Sequence, residues 1–467
     1  MTKILEAIHG MIWGIPALIL ILGVGVYYTW KTDFAQLRLF VPALRLFVSK
    51  LRSRSQTEDG VSSFQALCTA LAATVGTGNL VGVAGAICIG GPGAIFWMWI
   101  CGIFGMMTKF AEVTLAVHYR VSKKGESLGG PMYMIASGMG KKWMPLAKLY
   151  AIFGIAATFG VGNATQINAV VSAVNAVVGM ESVHRNLAYG LILSVLIGSM
   201  LLGGVGRIGR TAEKLIPFVS AAYILLCLGA LAVNAKAVPR AIQAIVAGAF
   251  APRSVTGGMV GSFFLSLRTG CSRGVFTNEA GMGTASIAHA SATAVDPVEQ
   301  GLMGIVEVFL DTIVICTFTA LVILTSGIPI PYGCDIGGMV TTAAFAQVLG
   351  AWTGPFLAIA LCCFAFATVL GWGLYGGRCA QFLFGQKAWG VFALLQTLAV
   401  IPGAVLKTQT LWLLAEILNG LMAIPNLIAL AVLAPCFFRL VTEYKRKHGI
   451  LNASGGYYAD FHQCKPL

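Results

Sequence analysis

Charged side chains are scarce in this sequence: Asp, Glu, Lys and Arg make up 10% of its 467 residues, whereas 57% of the residues are hydrophobic. A soluble domain of this length carries far more charge. Many apolar runs exceed the ~18 residues that predict a membrane-spanning helix, and the alternating pattern of a membrane β-barrel is absent. The composition therefore predicts an all-α polytopic membrane protein.

The sequence also lacks the motifs by which enzymes and metal sites are commonly recognised. No G-x-S-x-G, H-E-x-x-H or phosphate-binding loop pattern is present. The twelve cysteines form no C-x-x-C pair and lie mostly in apolar runs, which is typical of small buried hydrophobic residues. No cofactor is expected, and a membrane enzyme has no visible active site.

Eleven membrane spans are predicted from the apolar runs. The first run is too long for a signal peptide and is interpreted as a retained helix. Residues 34–54 carry apolar and basic residues at helical spacing, which predicts an amphipathic helix on the membrane surface, and residues 238–250 predict a shorter one. The spans lie near 11–30, 63–90, 93–119, 147–178, 187–203, 213–234, 256–289, 298–326, 353–377, 388–405 and 409–434.

Basic residues outnumber acidic ones by 31 to 17, which gives a net charge of +14. Most of them lie on alternate loops, including 31–62, 120–148 and 207–214, and in the tail after residue 435. The positive-inside rule then predicts an inner-membrane protein with its N-terminus outside and its C-terminus in the cytoplasm. This topology and an attraction to anionic lipids on the cytoplasmic face explain the charge, so no nucleic-acid partner is expected.

The second span, residues 63–90, contains the segment TVGTGN (residues 74–79) at its middle. Glycines and short polar side chains weaken a helix. Backbone groups without partners are costly in hydrocarbon, so such a break persists only where it lines a cavity or a ligand. The segment therefore predicts a binding break. The alternative is close helix packing through small residues four apart, namely Gly78, Gly82 and Ala86.

A second interrupted span, residues 256–289, follows five spans later. Paired interrupted spans at corresponding places in two halves indicate a transporter built from inverted repeats. Because five spans per half is an odd number, the halves enter the membrane in opposite orientations, and the first span lies outside this ten-helix core. The glycines of the second interruption are Gly270, Gly274, Gly281 and Gly283.

Polar residues in two further spans are candidates for a ligand site. Asn163 and Gln166 of the fourth span lie three apart on one helix face, and Thr368 and Trp372 of the ninth lie four apart on one face. Such residues either hold helices together or contact a ligand. Their matching positions in the two halves favour a ligand, with Trp372 as an apolar wall and the Thr368 hydroxyl facing a cation or the substrate.

Ionisable side chains within membrane spans are rare and often functional. Lys109 and Glu112 lie three apart and are expected to form a structural ion pair. Glu307 and Asp311 share one helix face, where their charges would repel unless a cation or a proton lies between them. Glu416 has no partner that the sequence identifies.

Several motifs occur in order between about residue 62 and about residue 433. They include ATVGTGNLVGVAGAI, GMMTKFAEVTLAVHYR, FGVGNATQIN, GRIGRTAEKLIPF, RGVFTNEAGMGTASIAHA and FAFATVLGW. This set resembles the signature of the alanine or glycine:cation symporters, the sodium:alanine symporter family. The resemblance implies a leucine-transporter-like fold of two inverted five-helix repeats plus one extra N-terminal helix. It divides the chain into 1–61 (extra span and amphipathic linker), 62–234 (first repeat), 235–434 (second repeat) and 435–467 (basic cytoplasmic tail).

The resemblance also implies sodium-coupled import of small neutral amino acids, alanine or glycine, by alternating access. A sodium site would use the carbonyls of Ala73 and Gly76 with the Thr368 hydroxyl, because hard cations prefer oxygen ligands. Ala367 stands where relatives usually carry Ser or Thr, which removes a possible ligand and leaves sodium dependence open. The implied substrate-binding residues are Thr77, Gly78, Asn79, Gln166, Phe276, Thr368 and Trp372.

Two other interpretations remain open at this point. Proton-coupled or exchange transport of another small amino acid is the alternative within the same class. A gated ion channel would need a continuous polar pore, whereas the polar residues here cluster at two breaks. The sequence does not separate alanine from glycine or serine, because one methylene in a pocket is worth only about 1–3 kcal/mol, and it does not set the oligomeric state.

Overall fold

The computed structural model describes residues 2–52, 61–123, 125–258, 262–293, 295–334, 337–406 and 408–449. Nearly all of these residues are helical. Residues 53–54 of the predicted surface helix and residues 450–467 of the predicted tail lie outside the described ranges.

Twenty-two α-helices follow one another along the described chain. The first twelve are α1 (Thr2–Ile12), α2 (Ile15–Lys31), α3 (Ala35–Arg38), α4 (Phe40–Arg52), α5 (Ser63–Thr74), α6 (Val83–Gly90), α7 (Gly93–His118), α8 (Pro131–Met134), α9 (Met144–Phe159), α10 (Thr165–Val178), α11 (Val183–Leu201) and α12 (Gly204–Val233). The remaining ten are α13 (Val238–Phe250), α14 (Pro252–Val255), α15 (Phe263–Asn278), α16 (Thr284–Ala290), α17 (Pro297–Val308), α18 (Thr317–Thr325), α19 (Gly337–Leu349), α20 (Thr353–Phe384), α21 (Ala388–Val405) and α22 (Thr408–Lys447).

Short segments of other structure connect these helices. Strands β1 (Val121–Lys123) and β2 (Glu126–Leu128) form an antiparallel hairpin after α7. A parallel bridge between Val61 and Ala292 joins the start of α5 to the chain that follows α16. The 3₁₀ turns are Lys141–Trp143 and Ala235–Ala237, and the π-helical segments are Gly78–Gly82, Ile135–Met139, Gly160–Ala164 and Phe309–Cys316.

Eight helices within the described residues are long and apolar enough to cross a membrane, or nine if the bent pair α5–α6 counts as one span. Each of them overlaps a predicted span, which confirms an all-α polytopic membrane protein. The two other predicted spans, 187–203 and 256–289, are helical as α11 and as α15 with α16, but they do not reach the same combination of length and hydropathy. The count of eleven therefore stays a prediction.

The second predicted span is interrupted where the sequence indicates. Ser62 and Gln65 form a capping box at the start of α5, and the helix ends at Thr74. The chain resumes as the π-helical segment Gly78–Gly82, which continues into α6, and the axis bends by 45° across the gap. The predicted first break is confirmed.

The second interruption separates α15 from α16. Glu279, Gly281 and Gly283 have φ values of 55°, 93° and 75° there, in the left-handed region that glycine adopts without a steric penalty. The predicted second break is therefore confirmed, and it occupies residues 279–283. The other two predicted glycines, Gly270 and Gly274, lie inside α15.

Helices are also present where the sequence predicts amphipathic surface helices, and their position on the membrane surface stays a prediction. The described part of 34–54 forms α3 and α4, and residues 238–250 form α13. Helix α19, a 13-residue apolar helix between the eighth and ninth predicted spans, was not predicted from the sequence.

Gly270 allows α15 to approach α7 closely. A Cβ atom at this position would lie 2.3 Å from the carbonyl oxygen of Ala94 and 2.7 Å from Cβ of Trp97. Backbone atoms cannot move aside without shifting a helix. Gly270 therefore fixes the contact between α15, the helix before the second break, and α7.

We predict that Gly270→Ala lowers the stability of the folded protein by about 2 kcal/mol because it overpacks this contact. Thermal unfolding in detergent measures the change. Gly229→Ala on α12 is the matched control, because a Cβ there has open space around it and alanine favours a helix. Equal melting temperatures for the two variants would contradict the prediction.

Candidate functional site

The side chain of Asn79, at the C-terminal end of the first break, closes the break with a hydrogen bond. The Asn79 side-chain oxygen accepts a hydrogen bond from the Gly76 backbone amide at 2.9 Å, and the Asn79 backbone amide donates to the Gly76 carbonyl at 3.3 Å. Asn79 is fully buried. Since short polar side chains can replace lost helical hydrogen bonds, Asn79 closes residues 76–79 into a compact turn.

Asn79 also joins the break to the eighth predicted span. Its side-chain amide donates to the Asp311 carboxylate at 2.7 Å and to the Asp311 carbonyl at 3.2 Å, and it lies 3.3 Å from the Cys316 sulfur. Asp311 and Cys316 belong to the π-helical segment Phe309–Cys316. Segments of this kind often occur at functional sites, since their wider turn changes the pairing of backbone carbonyls.

Gln166 connects the fourth predicted span to the first break. The Thr77 hydroxyl donates to the Gln166 side-chain oxygen at 3.1 Å, and the Gln166 amide donates to the Val161 carbonyl at 3.1 Å. Val161 lies in the π-helical segment Gly160–Ala164. Gln166 therefore bridges the first break and a second irregular segment.

Thr368 of α20 lies beside the other end of the break. Its hydroxyl donates to the Ala72 carbonyl at 2.9 Å and to the Phe364 carbonyl at 3.0 Å. A Cβ atom on Gly76 would lie only 2.7 Å from the Thr368 hydroxyl oxygen. Gly76 therefore allows a threonine hydroxyl to approach the break closely. Ala73 contacts α20 too, since its Cβ lies 2.9 Å from where a Cβ on Gly371 would be.

Phe276 and Thr277 of α15 line the first break at Gly78. A Cβ atom on Gly78 would lie 2.8 Å from the Thr277 methyl group and 3.5 Å from the Phe276 ring. Phe276 is largely buried. The break is therefore lined by an aromatic ring from the helix that ends at the second break.

Trp372 lies one turn beyond Thr368 on α20 and packs against the fourth predicted span. A Cβ atom on Gly162 would lie 2.3 Å from Cβ of Trp372, and the Thr158 hydroxyl donates to the Trp372 carbonyl at 3.3 Å. Its ring centre is 5.7 Å from that of Tyr375. Trp372 therefore contacts α9 and the π-helical segment Gly160–Ala164, in the predicted span that also carries Gln166.

The structure thus brings the predicted site residues of four spans together around the first break. Oxygen atoms of backbone carbonyls, a hydroxyl and a side-chain amide surround it, which suits a small cation. Backbone amides at the start of the second half-helix suit a carboxylate. Ala367 lies in an apolar cluster with Leu71 and Ala72, so it supplies contact rather than a ligand atom. The predicted site residues so placed are Ala73, Gly76, Thr77, Gly78, Asn79, Gln166, Phe276 and Thr368, whereas the contacts of Trp372 are with Thr158, Gly162 and Tyr375.

The predicted ion pair between Lys109 and Glu112 is wrong. Lys109 pairs with Glu307 on α17, with a nitrogen–oxygen distance of 3.3 Å, and not with Glu112 on its own helix. Glu112 accepts hydrogen bonds from the Gly281 and Gly283 amides and the Asn426 side chain. Tertiary partners therefore outweigh the local spacing.

Glu416 also has partners that the sequence did not identify. Its carboxylate lies 3.0 Å from the Arg273 guanidinium on α15 and 2.5 Å from the His9 ring on α1. These contacts join residues far apart in the chain, so no local pattern indicates them.

Two contributors to the site were not predicted from the sequence. Asp311 was considered only for its charge, whereas it is the partner of Asn79. Thr341 of the unpredicted helix α19 donates its hydroxyl to the Leu80 carbonyl at 2.6 Å, within the π-helical segment Gly78–Gly82. The only sequence signal for Thr341 is that it follows a pair of glycines, and this pattern is too common to predict a contact.

Known proteins resemble this chain over nearly its whole length. The family model described as "Sodium:alanine symporter family" matches residues 1–453. The chain belongs to the sodium:alanine symporter family. It is therefore a cation-coupled amino-acid transporter and not an enzyme, and it is a multi-pass membrane protein.

Two relatives in this family match nearly their whole length. The sodium/alanine symporter AgcS of Methanococcus maripaludis is 40% identical over 437 residues, which cover 93% of this chain and 95% of AgcS. An uncharacterized transporter of Haemophilus influenzae is 43% identical over 448 residues, which cover 95% of this chain and 96% of the relative.

A solved structure shares the fold. The crystal structure of MhsT in complex with L-phenylalanine superposes with a TM-score of 0.58, at 15% identity, over 81% of this chain and 90% of MhsT. This similarity confirms the predicted leucine-transporter-like fold for this family member. The residue limits predicted for the two repeats remain predictions.

We predict that Asn79→Asp destabilises this symporter-family protein by about 3 kcal/mol, because two carboxylates would face each other in a buried site. Asp311→Asn should cost little, since its oxygen still accepts from Asn79. The double swap Asn79→Asp/Asp311→Asn should recover most of the loss, because the donor and acceptor merely change sides. Thermal unfolding of the three variants in detergent measures the coupling. Purely additive effects would mean that these side chains do not interact.

Proposed function

We propose that the protein imports alanine or glycine together with sodium across the inner membrane by alternating access. The observation that carries the proposal is the convergence of Thr77, Gly78 and Asn79 with Gln166 and Thr368 at one break. A fixed site at a helix break, midway along a span, is the arrangement expected of a secondary transporter. The name of the relative AgcS supports alanine and sodium as the transported pair.

The substrate carboxylate is proposed to bind the backbone amides of Gly78 and Asn79, the latter exchanging its 3.3 Å hydrogen bond to the Gly76 carbonyl for the substrate. These residues begin the second half-helix, Gly78–Gly90, whose partial positive charge favours an anion. Gln166 is proposed to contact the substrate from the fourth predicted span. The Phe276 ring and the Trp372 side chain would form the apolar wall. Thr277 and Phe276 leave little room at Gly78, which favours a small amino acid.

Sodium is proposed to bind the carbonyls of Ala73 and Gly76 and the Thr368 hydroxyl. The hydroxyl already lies beside Gly76 and donates to the Ala72 carbonyl, so its oxygen lone pairs remain available to a cation. Ala367 adds no hydroxyl to this set. Sodium affinity therefore depends on Thr368 more than it would with a second hydroxyl beside it.

The protein is proposed to lie with its N-terminus outside and its C-terminus in the cytoplasm. The distribution of lysine and arginine supports this orientation. Anionic lipids on the cytoplasmic face are the proposed lipid partners of the basic loops.

We predict that labelled alanine accumulates above equilibrium in proteoliposomes that have an inward sodium gradient, and not when potassium replaces sodium. The sodium gradient supplies the free energy for accumulation. Unlabelled glycine should compete with the uptake. Accumulation driven only by a proton gradient would replace sodium with the proton as coupling ion. Ionic current without a saturable substrate would overturn the proposal in favour of a channel.

We predict that Thr368→Val raises the sodium concentration for half-maximal uptake by about tenfold, because the cation loses one oxygen ligand; a tenfold change corresponds to about 1.4 kcal/mol. Thr368→Ser should keep the wild-type value because it retains the hydroxyl. Thr342→Val on α19 is the matched control, since its exposed hydroxyl donates to Gly338 on its own helix. Sodium dependence that is the same in Thr368→Val and the control would show that Thr368 is not a ligand.

A further inference from the structure

Helices α3 and α4 expose a row of large apolar side chains on one side. The Leu39 amide donates to the Ala35 carbonyl and the Ala43 amide donates to the Leu39 carbonyl, both at 2.8 Å, so the two helices are nearly continuous. The exposed apolar residues recur every three or four positions, which places them on one face of this helix. They form the apolar row, with exposed fractions from 36% to 61%: Phe34, Leu37, Val41, Leu44, Val48 and Leu51.

The opposite face of the same helix is buried against the rest of the protein. Ala35, Leu39 and Ala43 are almost completely buried. The ring centre of Phe40 lies 4.7 Å from that of Phe309, and α4 packs along α17. The helix is therefore fixed on the helix bundle by one face, and the apolar row points away from the bundle.

Arg38 and Arg45 follow one edge of the apolar row. Each comes directly after a residue of the row, Leu37 or Leu44. Because they are seven positions apart, the two arginines lie on one line along the helix, about 10 Å from each other along its axis. Both side chains are exposed, and neither forms a hydrogen bond or an ion pair within the part of the chain that the structure describes. Their guanidinium groups therefore remain available to an external partner.

The surroundings of these arginines carry an excess of positive charge. Residues 31–50 contain four basic residues and one acidic residue, Asp33. Lys445, near the end of α22, adds a further positive charge, since its Nζ donates to the Thr32 carbonyl at 3.4 Å. The edge of the apolar row is therefore positive, and it attracts anionic groups.

An apolar row beside a line of arginines fits the boundary of a lipid bilayer. A contiguous exposed apolar surface rimmed by polar residues marks a contact with a partner or with a membrane. Basic residues beside an apolar helix face are typical of helices that lie in the plane of a bilayer, where acyl chains cover the apolar side chains. A guanidinium group suits phosphate because it can donate two parallel hydrogen bonds to it. In a multi-pass membrane protein these features favour a phospholipid as the partner.

We propose that α3 and α4 form a binding surface for anionic phospholipids. The apolar row lies among the acyl chains of one leaflet, and Arg38 and Arg45 bind the phosphate groups of two lipid molecules. This inference names the residues behind the lipid partnership proposed above, and it rests on that proposed function only for the choice of the cytoplasmic leaflet. It does not depend on which amino acid or ion is transported.

The lipid surface lies against helices that supply partners of the first break. Phe309, which contacts Phe40 of α4, begins the π-helical segment that carries Asp311, the partner of Asn79. A ligand that binds only the folded protein raises its stability. Anionic phospholipid bound along α3 and α4 therefore stabilises the packing of α4 on this segment.

Photocrosslinking of the full chain identifies what covers the apolar row. The photoreactive residue p-benzoylphenylalanine replaces Leu37, the most exposed residue of the row, in nanodiscs with equal amounts of phosphatidylglycerol and phosphatidylcholine. We expect adducts that have the mass of a phospholipid. The same replacement at Ile19, which is 65% exposed on a candidate membrane span, is the positive control. Lipid adducts at Ile19 but none at Leu37, or crosslinks from Leu37 to a second copy of the chain, would overturn the proposal.

The same adducts measure the preference for an anionic headgroup. Replacing both arginines, as Arg38→Gln/Arg45→Gln, should lower the ratio of phosphatidylglycerol to phosphatidylcholine adducts at Leu37 by about fivefold for each arginine removed. Arg240→Gln is the matched control, because it removes an exposed arginine from the other amphipathic helix, α13, and should leave the ratio unchanged. An equal ratio in the double variant and the control would contradict phosphate binding by Arg38 and Arg45. Neither readout uses transport, so its failure is distinct from failure of the proposed function.

Discussion

A helix that loses its regular hydrogen bonds inside a bilayer must find other partners for its backbone, and this requirement organises the structure. At the first break the replacement partners are side chains: Asn79 bonds the Gly76 amide, and Thr368 bonds the Ala72 carbonyl. Each partner belongs to, or is held by, a different helix. The break can therefore exist only when Gln166, Asp311 and Thr368 are all in place, which makes it a site shared by several spans.

At the second break the replacement partner for the backbone is a carboxyl side chain. Glu112 of α7 accepts hydrogen bonds from the Gly281 and Gly283 amides, and Asn426 of α22 donates to Glu112 and to the Gly281 carbonyl. Glu307 and Lys109 join α17 to α7 nearby. Buried polar and charged side chains therefore hold the second break against α7 and α22, and α7 against α17.

The sequence was sufficient to predict the helical class, both breaks and most of the residues that meet at the first break, because clusters of glycines and short polar residues within apolar runs weaken a helix where lipid offers no replacement hydrogen bonds. It did not predict the partners of Lys109 and Glu416, since those contacts join distant parts of the chain. The role of Asp311 was missed for the same reason. Helix α19 was missed because a 13-residue apolar segment is too short to resemble a span.

A structure determined in a lipid environment with alanine and sodium present would test the central claim most directly. We expect alanine against residues 76–79, with its carboxylate at the Gly78 and Asn79 amides, and a sodium ion next to Thr368. Density for alanine at the second break, or beside Arg273 and Glu416, with residues 76–79 in contact only with protein, would contradict it.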